Sequence, residues 1–328
     1  MTNASFKPIA ILGAGSWGTA LALYLSRRGQ VVHLWSNVST EIASLIADKS
    51  NKQYLPGFDF PNLIQPTDNL SKAIEGTSEA IIVVPSIAFR DVLNHLKPLL
   101  KPGYGLACAT KGLDGETGLL LSEVAHQIVH EQPFAVLAGP SFAREVASGL
   151  PTAVVIASRN NALRTQLLER FNSTIFHARP SDDVIGVEVG SVVKNVIAIA
   201  TGIVDGLEFG PNARSALLTN GLAEMIRLGE ALGGKLETFL GLSGIGDLIL
   251  TATDDQSRNR RFGLSLGRGQ NLEKAEKEIG QIVEGKRNAE LVMRLAERHK
   301  IAMPICERVW KILQAKLQVK EAAMEFIF

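Results

Sequence analysis

The chain has 328 residues, of which 46% are apolar and 20% charged, and its formal net charge is +1 at pH 7. This composition is typical of a folded globular protein, and the balanced charge excludes a global field for nucleic acid or an anionic membrane. Two domains are expected at this length. Cys108 and Cys306 stand far apart, so we expect no disulfide framework, no metal site and a reducing, cytoplasmic setting. No run of 18 apolar residues occurs, so no integral membrane segment is expected.

The N-terminal region predicts a dinucleotide-binding unit. Residues 8–12 predict a buried strand, 19–28 a helix and 31–35 a second strand, with a glycine motif after the first strand. Strand, glycine turn, helix and strand in this order form the βαβ unit in which such a motif binds a pyrophosphate at the helix N-terminus. The first glycine allows the tight turn, the second admits the pyrophosphate and the third lets the helix pack closely. These glycines are Gly13, Gly15 and Gly18.

Further buried strands are predicted along the first half of the chain. They cover 80–84, 106–110, 134–138 and 152–157, with 173–178 as a further candidate. The alternation with helices predicts an α/β fold with a doubly wound parallel sheet. Several strands end in turn-forming or polar groups, which are Pro85-Ser86, Lys111-Gly112 and Gly139-Pro140-Ser141. Because ligands bind beyond the carboxyl ends of parallel strands, we expect a cleft there.

The end of the second strand bears on the choice of cofactor. An acid at this place binds the ribose 2′-hydroxyl of NAD, whereas an arginine accepts the 2′-phosphate of NADP. Trp35 is followed by Ser36 and Asn37, which are neither acidic nor cationic. Without an acid at this place, no negative charge would repel the 2′-phosphate of NADP(H). The sequence therefore favours NADP(H) as the cofactor, and NAD(H) is the alternative.

The second half reads as helical. The change of pattern predicts a dinucleotide-binding domain over 1–188 and an all-α substrate-binding and catalytic domain over 189–328. The stretch 189–204 is apolar except for Lys194. An ammonium in such a helix either reaches a surface or ends in a pocket whose chemistry needs a proton donor.

A polar segment, 254–261, holds three arginines in four residues beside a serine and an asparagine. This set of donors suits a phosphate, although the segment taken alone is more typical of a solvated helix end with Asp–Arg pairs. Glycines at 241, 244 and 246 come before Asp247, which predicts a close backbone approach followed by a helix that begins with an acid.

Taken in order, these segments resemble bacterial-type glycerol-3-phosphate dehydrogenase over nearly the whole chain. The matching segments are GAGSWGTALA (13–22), ATKGL (109–113), AGPSFAREVA (138–147), VKNVIAIATG (193–202), NARSALLTNGLAEM (212–225), GLSGIGDLILT (241–251), QSRNRRFG (256–263) and QIVEGKRN (281–288). The resemblance implies an N-terminal Rossmann domain and an all-helical C-terminal domain. It also implies reversible reduction of dihydroxyacetone phosphate to sn-glycerol 3-phosphate, a precursor of glycerophospholipids.

The resemblance also implies roles for individual residues. Lys194 matches the proton donor and acceptor, Asp247 a group that orients it or the substrate, and Lys111 a cation at the substrate oxygen or the cofactor. The implied substrate contacts are Lys111, Gly139, Ser141, Lys194, Asp247, Ser257, Arg258 and Asn259. The implied cofactor contacts are Gly13, Gly15, Ser16, Trp17, Gly18, Asn37, Lys111, Ala143, Arg258, Val283 and Glu284. Asn37 departs from the basic or imidazole residue usual in the family, which weakens the assignment of NADP(H).

Two other functions remain open at this point. One is another two-domain dehydrogenase that acts on a 3-hydroxy acid, a hydroxyacyl-CoA or ketopantoate, because a fold alone does not fix a substrate. The other is a non-catalytic sensor that binds a nicotinamide nucleotide. The Lys-Asn helix and the Ser-Arg-Asn segment favour a small phosphorylated ketone over both. A homodimer joined through the helical domain fits the sequence, which offers no residue-level evidence for it.

Overall fold

A computed structural model describes residues 6–326 of the chain, so the outermost residues of both predicted domains, 1–5 and 327–328, lie outside the described residues. The chain forms two compact units. We call them the sheet unit (Met1–Thr110, Leu121–Leu137 and Ser141–Asp182) and the helical unit (Lys111–Leu120, Ala138–Pro140 and Asp183–Phe328).

The sheet unit is built on one eight-stranded sheet. Its strands are β1 (Ile9–Leu12), β2 (Val32–Trp35), β3 (Ile64–Thr67), β4 (Glu79–Ile82), β5 (Gly105–Cys108), β6 (Phe134–Ala138), β7 (Thr152–Ala157) and β8 (Phe176–Ser181). They lie in the order β3-β2-β1-β4-β5-β6-β7-β8. Strand β1 pairs in parallel with β2 on one side and β4 on the other, so the order reverses beside β1. Reversals of this kind are where open parallel sheets bind their ligands.

Seven α-helices accompany the sheet in the described part of this unit. They are α1 (Ser16–Arg27), α2 (Ser39–Asp48), α3 (Leu70–Ile74), α4 (Ser86–Leu96), α5 (Leu121–Val129), α6 (Ala143–Ser148) and α7 (Asn161–Phe171). The predicted α/β class and doubly wound sheet are confirmed. Strand β3 was not predicted from the sequence, so Gly139 and Ser141 follow the sixth strand rather than the fifth. The candidate strand at 173–178 lies slightly later, at Phe176–Ser181.

The rest of the helical unit is all-α, as predicted. Its helices are α8 (Val184–Gly206), α9 (Gly210–Ala231), α10 (Leu236–Phe239), α11 (Asp247–Thr253), α12 (Arg258–Gly267), α13 (Leu272–Ile279), α14 (Glu284–His299), α15 (Pro304–Leu313) and α16 (Val319–Met324). Besides the apolar helix with Lys194, the sequence patterns predict helices over 213–232, 236–240, 246–251, 272–279, 288–300 and 305–317, so α12 and α16 were not predicted. The predicted domain boundary between 188 and 189 falls within α8 and stays a prediction.

Helix α8 is the core of the helical unit. Asp183 caps it by accepting a hydrogen bond from the Gly186 amide at 2.8 Å. Helices α9, α11, α12, α14 and α15 all pack against it. By length and composition it could cross a membrane, but 94% of its most apolar window is buried inside the protein, as expected for a core helix.

Helices α8 and α12 cross at unusually close range because glycine stands on both. A Cβ at Gly202 would lie 2.1 Å from the Arg260 carbonyl oxygen, and one at Gly263 would lie 2.0 Å from that of Ile199. This approach brings the first two turns of α12 against the C-terminal half of α8.

One charged pair in the sheet unit is completely buried. The Arg170 guanidinium of α7 contacts the Glu79 carboxylate of β4, and their side chains are 1% and 0% exposed. Arg170 also donates to the Gln30 side chain at 2.8 Å and to the Lys7 carbonyl at 2.9 Å. Its hydrogen bonds therefore tie α7 to the sheet and to the start of the chain.

Replacing Arg170 with Ala should lower the free energy of unfolding by about 3–5 kcal/mol, because it leaves the Glu79 carboxylate buried without its cation. Arg159→Ala is the control, since Arg159 is exposed in the same unit; its effect should be within about 0.5 kcal/mol. Urea unfolding followed by circular dichroism measures both. Equal stability of the two variants would contradict the assignment.

Candidate active site

The Lys194 side chain lies inside the helical unit. It is 3% exposed, and its ammonium contacts the Asp247 carboxylate, which is 1% exposed. The ammonium also donates a hydrogen bond of 2.8 Å to the Thr251 hydroxyl, one turn further along α11. Thr251 itself lies 3.3 Å from the same Asp247 oxygen that Lys194 contacts. Snorkelling to a surface is therefore excluded for Lys194.

A second cation faces the same carboxylate from a different segment. Lys111 Nζ lies 3.4 Å from the other oxygen of Asp247, and the Lys111 side chain is 24% exposed. Its segment, Lys111–Leu120, belongs to the helical unit, where the buried Leu113 and Leu120 pack in the hydrophobic core. Asp247 thus accepts contacts from two lysines, one buried and one that reaches solvent.

The surroundings of Lys194 make it a weak base compared with an ordinary lysine. Burial lowers the pKa of Lys194 from 10.5 to about 7 because the charged form loses its water. The Asp247 carboxylate opposes this change, and the nearby Lys111 ammonium adds to it. With this pKa, the Lys194 amine can release and take up a proton near neutral pH.

Asp247 owes its position to the glycine-rich turn before it. Leu242–Gly246 forms a π-helical turn, and α11 begins at Asp247. A Cβ at Gly244 would lie 2.0 Å from the Phe239 carbonyl oxygen, and one at Gly190 of α8 would lie 2.4 Å from that of Ser243. The predicted close approach of backbone before Asp247 is therefore present, and it brings the start of α11 against α8.

The Ser-Arg-Asn segment forms the start of α12. Ser257 is its N-cap and accepts a hydrogen bond from the Arg260 amide at 3.3 Å. The buried Asn259 donates to the Asn195 side chain at 3.0 Å and accepts from the Gly285 amide at 2.9 Å. This chain of amides joins the neighbour of Lys194 to the N-terminus of α14, where Val283 and Glu284 lie.

The three arginines of this segment have different surroundings. Arg260 is buried, pairs with Asp205 at the end of α8, and also binds Asp255 at 2.9 Å. Arg258 and Arg261 are exposed, and Arg258 donates to Gln281 at 3.3 Å. Of the three guanidinium groups, those of Arg258 and Arg261 are accessible to an anion. The Arg260 guanidinium instead joins the start of α12 to Asp205 and Asp255.

The glycine motif of the sheet unit is tightly packed at two glycines and open at the third. Gly13 has φ +124°, and a Cβ there would lie 2.4 Å from the Val83 carbonyl oxygen. A Cβ at Gly18 would lie 1.9 Å from the Gly13 carbonyl oxygen, whereas nothing lies within 4 Å of one at Gly15. Helix α1 begins at Ser16 with no acid in its first turn. The motif therefore leaves open space before a helix N-terminus, as a bound pyrophosphate requires.

The remaining predicted residues lie at the ends of strands and helices. Asn37 is exposed just after β2, and Trp17 is in the first turn of α1. Gly139 follows β6 with φ +143°, Ser141 comes two residues later, and Ala143 begins α6. Among residues 6–326, no group of three or more His, Cys, Asp and Glu side chains could hold a metal ion.

The structure thus brings Lys111, Lys194 and Asp247 into direct contact and links Asn259 to the neighbour of Lys194. Sequence reasoning missed Thr251 and Asn195 as members of this cluster. Their spacing held a usable signal, since Thr251 is one helical turn from Asp247 and Asn195 adjoins Lys194. Arg260 lies outside this cluster, and its contact with Asp255 is one of the Asp–Arg pairs that the segment 254–261 suggested.

Two family models match consecutive parts of the chain. Residues 8–164 match the model described as NAD-dependent glycerol-3-phosphate dehydrogenase N-terminus, and residues 183–324 match the C-terminus of the same family. The chain belongs to the NAD-dependent glycerol-3-phosphate dehydrogenase family.

Relatives in this family are similar over almost the full chain. Glycerol-3-phosphate dehydrogenase (NAD(P)+) from Psychromonas ingrahamii is 49% identical over 97% of this chain and 96% of the relative. That from Pseudoalteromonas translucida is also 49% identical over the same shares. The crystal structure of the Coxiella burnetii glycerol-3-phosphate dehydrogenase has a TM-score of 0.96 at 48% identity, covering 98% of this chain and 99% of that one.

Proposed function

We propose that the protein is a glycerol-3-phosphate dehydrogenase that uses NAD(P)H to reduce dihydroxyacetone phosphate reversibly to sn-glycerol 3-phosphate. The observation that carries this proposal is the buried Lys194 in contact with Asp247, with its pKa lowered to about 7. Family membership supplies the substrate, since the relatives bear the name of this enzyme. A sensor that only binds a nucleotide would have no use for such a lysine.

Lys194 acts as the general acid of the reduction. The reduced nicotinamide, when bound, supplies the hydride that the substrate carbonyl carbon accepts. Negative charge then grows on the carbonyl oxygen, and the Lys194 ammonium gives that oxygen a proton. In the oxidation of sn-glycerol 3-phosphate, the neutral Lys194 amine removes the hydroxyl proton.

Asp247 and Lys111 support this proton transfer. Asp247 and the Thr251 hydroxyl hold the Lys194 amine in one orientation. Lys111 contacts the same carboxylate and is partly exposed to solvent. In this proposal its ammonium polarises the substrate oxygen or contacts the cofactor, the role that the family resemblance implies. As a fixed positive charge it also stabilises the developing alkoxide.

The start of α12 binds the substrate phosphate in this proposal. The exposed Arg258 offers a planar fork of N–H donors, and Ser257 and Asn259 add neutral hydrogen-bonding groups. Gly139 and Ser141 are further substrate contacts. These roles rest on the family resemblance at those positions.

The sheet unit fits a nicotinamide dinucleotide. A backbone without a side chain at Gly15 and the uncapped first turn of α1 suit the pyrophosphate. Trp17, Asn37 and Ala143 are further proposed contacts in this unit, and Val283, Glu284 and Arg258 are contacts in the helical unit. NADP(H) and NAD(H) both agree with the relatives' name.

The proposal extends to the location of the enzyme and to the use of its product. We propose that the enzyme acts in the cytoplasm and that its product supplies the backbone of glycerophospholipids. The homodimer suggested above stays a prediction.

The wild-type protein should oxidise NADPH or NADH when mixed with dihydroxyacetone phosphate, as followed by absorbance at about 340 nm. Lys194→Met should lower kcat by at least about a hundredfold, because it removes the general acid. Arg159→Ala, which changes an exposed residue of the sheet unit, is the control. Near-normal turnover in Lys194→Met would rule out its role, and a wild type that binds nucleotide but oxidises none would rule out the substrate.

Gly15→Ala should fold normally yet bind NADH and NADPH at least about tenfold more weakly, since its methyl group occupies the space left for the pyrophosphate. Gly18→Ala is the contrasting variant, because its methyl group meets the protein itself and should lower the melting temperature. Calorimetric titration and thermal unfolding measure the two effects. Unchanged nucleotide affinity in Gly15→Ala would contradict the proposed pyrophosphate position.

A further inference from the structure

A carboxylate lies beside the end of β2, although the sequence has no acid there. Glu41 belongs to the first turn of α2, and its Oε2 accepts a hydrogen bond from the Ser36 hydroxyl at 2.8 Å. Ser36 directly follows Trp35, the last residue of β2. Helix α2 therefore brings an acid to the place where dinucleotide-binding sheets carry the residue that reads the ribose 2′ position.

Glu41 is also joined to the glycine motif. Its Oε1 accepts from the Tyr54 hydroxyl at 3.0 Å, and the Tyr54 carbonyl accepts from the Ser16 hydroxyl at 2.7 Å. Glu41, Tyr54 and Ala14 line one cavity of about 190 Å³. The same short segment of chain thus contacts the proposed pyrophosphate loop and the Glu41 carboxylate.

We propose that Glu41 determines cofactor choice by accepting the ribose 2′-hydroxyl of NAD(H) and repelling the 2′-phosphate of NADP(H). This inference rests on the proposed function, because it assumes a nicotinamide dinucleotide at the glycine motif. It reverses the preference for NADP(H) that Ser36 and Asn37 suggest when the sequence is read alone.

The Glu41 carboxylate has the capacity to bind a ribose. Two carboxylate oxygens offer about four acceptor positions. Ser36 and Tyr54 occupy one position on each oxygen and fix the orientation of the group. The remaining positions can accept the 2′-hydroxyl, and Glu41 is only partly buried. A phosphate in that place would bring like charges together, which selects against the cofactor that carries the 2′-phosphate.

The charges around Glu41 do not reverse this effect. The cavity that Glu41 lines also contains Asp48 and Lys52, and these two form an ion pair of 2.7 Å. Lys52 is the one cation among the described residues lining that cavity, and its partner already balances it. The described residues that line the cavity include no arginine that could hold a 2′-phosphate in a bidentate fork.

Calorimetric titration with NADH and NADPH tests the proposal without any turnover. The wild type should bind NADH at least about tenfold more tightly than NADPH at low salt, and the ratio should shrink as salt screens the repulsion. Glu41→Gln keeps the shape but removes the charge, so it should bind NADPH at least about fivefold more tightly while NADH changes less. Glu169→Gln, which changes an exposed acid on α7 outside this cavity, is the control and should leave the ratio within about twofold.

Two results would overturn the proposal. The first is equal affinity of the wild-type protein for NADPH and NADH, a result that can be measured without any variant. The other is an unchanged ratio in Glu41→Gln. A protein that binds NADH but does not reduce dihydroxyacetone phosphate would refute the proposed function and leave the role of Glu41 standing. Failure to bind either nucleotide would count against both.

Discussion

The contact between Lys194 and Asp247 is the interaction on which the proposed chemistry depends. A lysine buried alone in an apolar helix would lose its proton or disrupt the core, because an ammonium is costly to take out of water. The Asp247 carboxylate on α11 stabilises the Lys194 ammonium. The Lys111 ammonium, which lies on a third segment, contacts the same carboxylate and repels Lys194, so it partly offsets that stabilisation. The balance leaves the amine with a pKa of about 7, where both of its protonation states are available.

This balance requires backbones to approach closely. Glycines on α8 and in the turn before α11 let the start of α11 lie against α8, and a second set brings α12 to the same helix. The turn that delivers Asp247 is π-helical, a geometry found frequently at functional sites. Helix α8 is therefore both the core of the helical unit and the support of its chemistry. Substitutions that widen these contacts should alter the site as well as the stability.

The sequence predicted most elements because their patterns are local. Buried strands appear as short apolar runs, and α8 was recognisable by its apolar length despite its many β-branched residues. Strand β3 escaped because Ile64–Thr67 contains Gln65 and Pro66 and lies at the edge of the sheet, where proline is tolerated. Helix α12 was not predicted because its first turn is rich in arginine, a pattern that suggested only a solvated helix end or a phosphate site. Tertiary packing forms the Lys194–Asp247–Lys111 cluster and determines the position of Glu41. The sequence therefore suggested the cluster only through the family resemblance, and it did not suggest a role for Glu41.

The pH dependence of dihydroxyacetone phosphate reduction tests the central claim most directly. If the Lys194 ammonium is the acid, kcat/KM should be lost above its pKa of about 7, by about tenfold per pH unit, since only the protonated form can donate. In Lys111→Met this loss should begin at higher pH, because the cation that lowers the pKa of Lys194 has been removed. A titration of the substrate phosphate would not move with that substitution. A rate that stays constant across this range, or a transition that Lys111→Met leaves in place, would contradict the account.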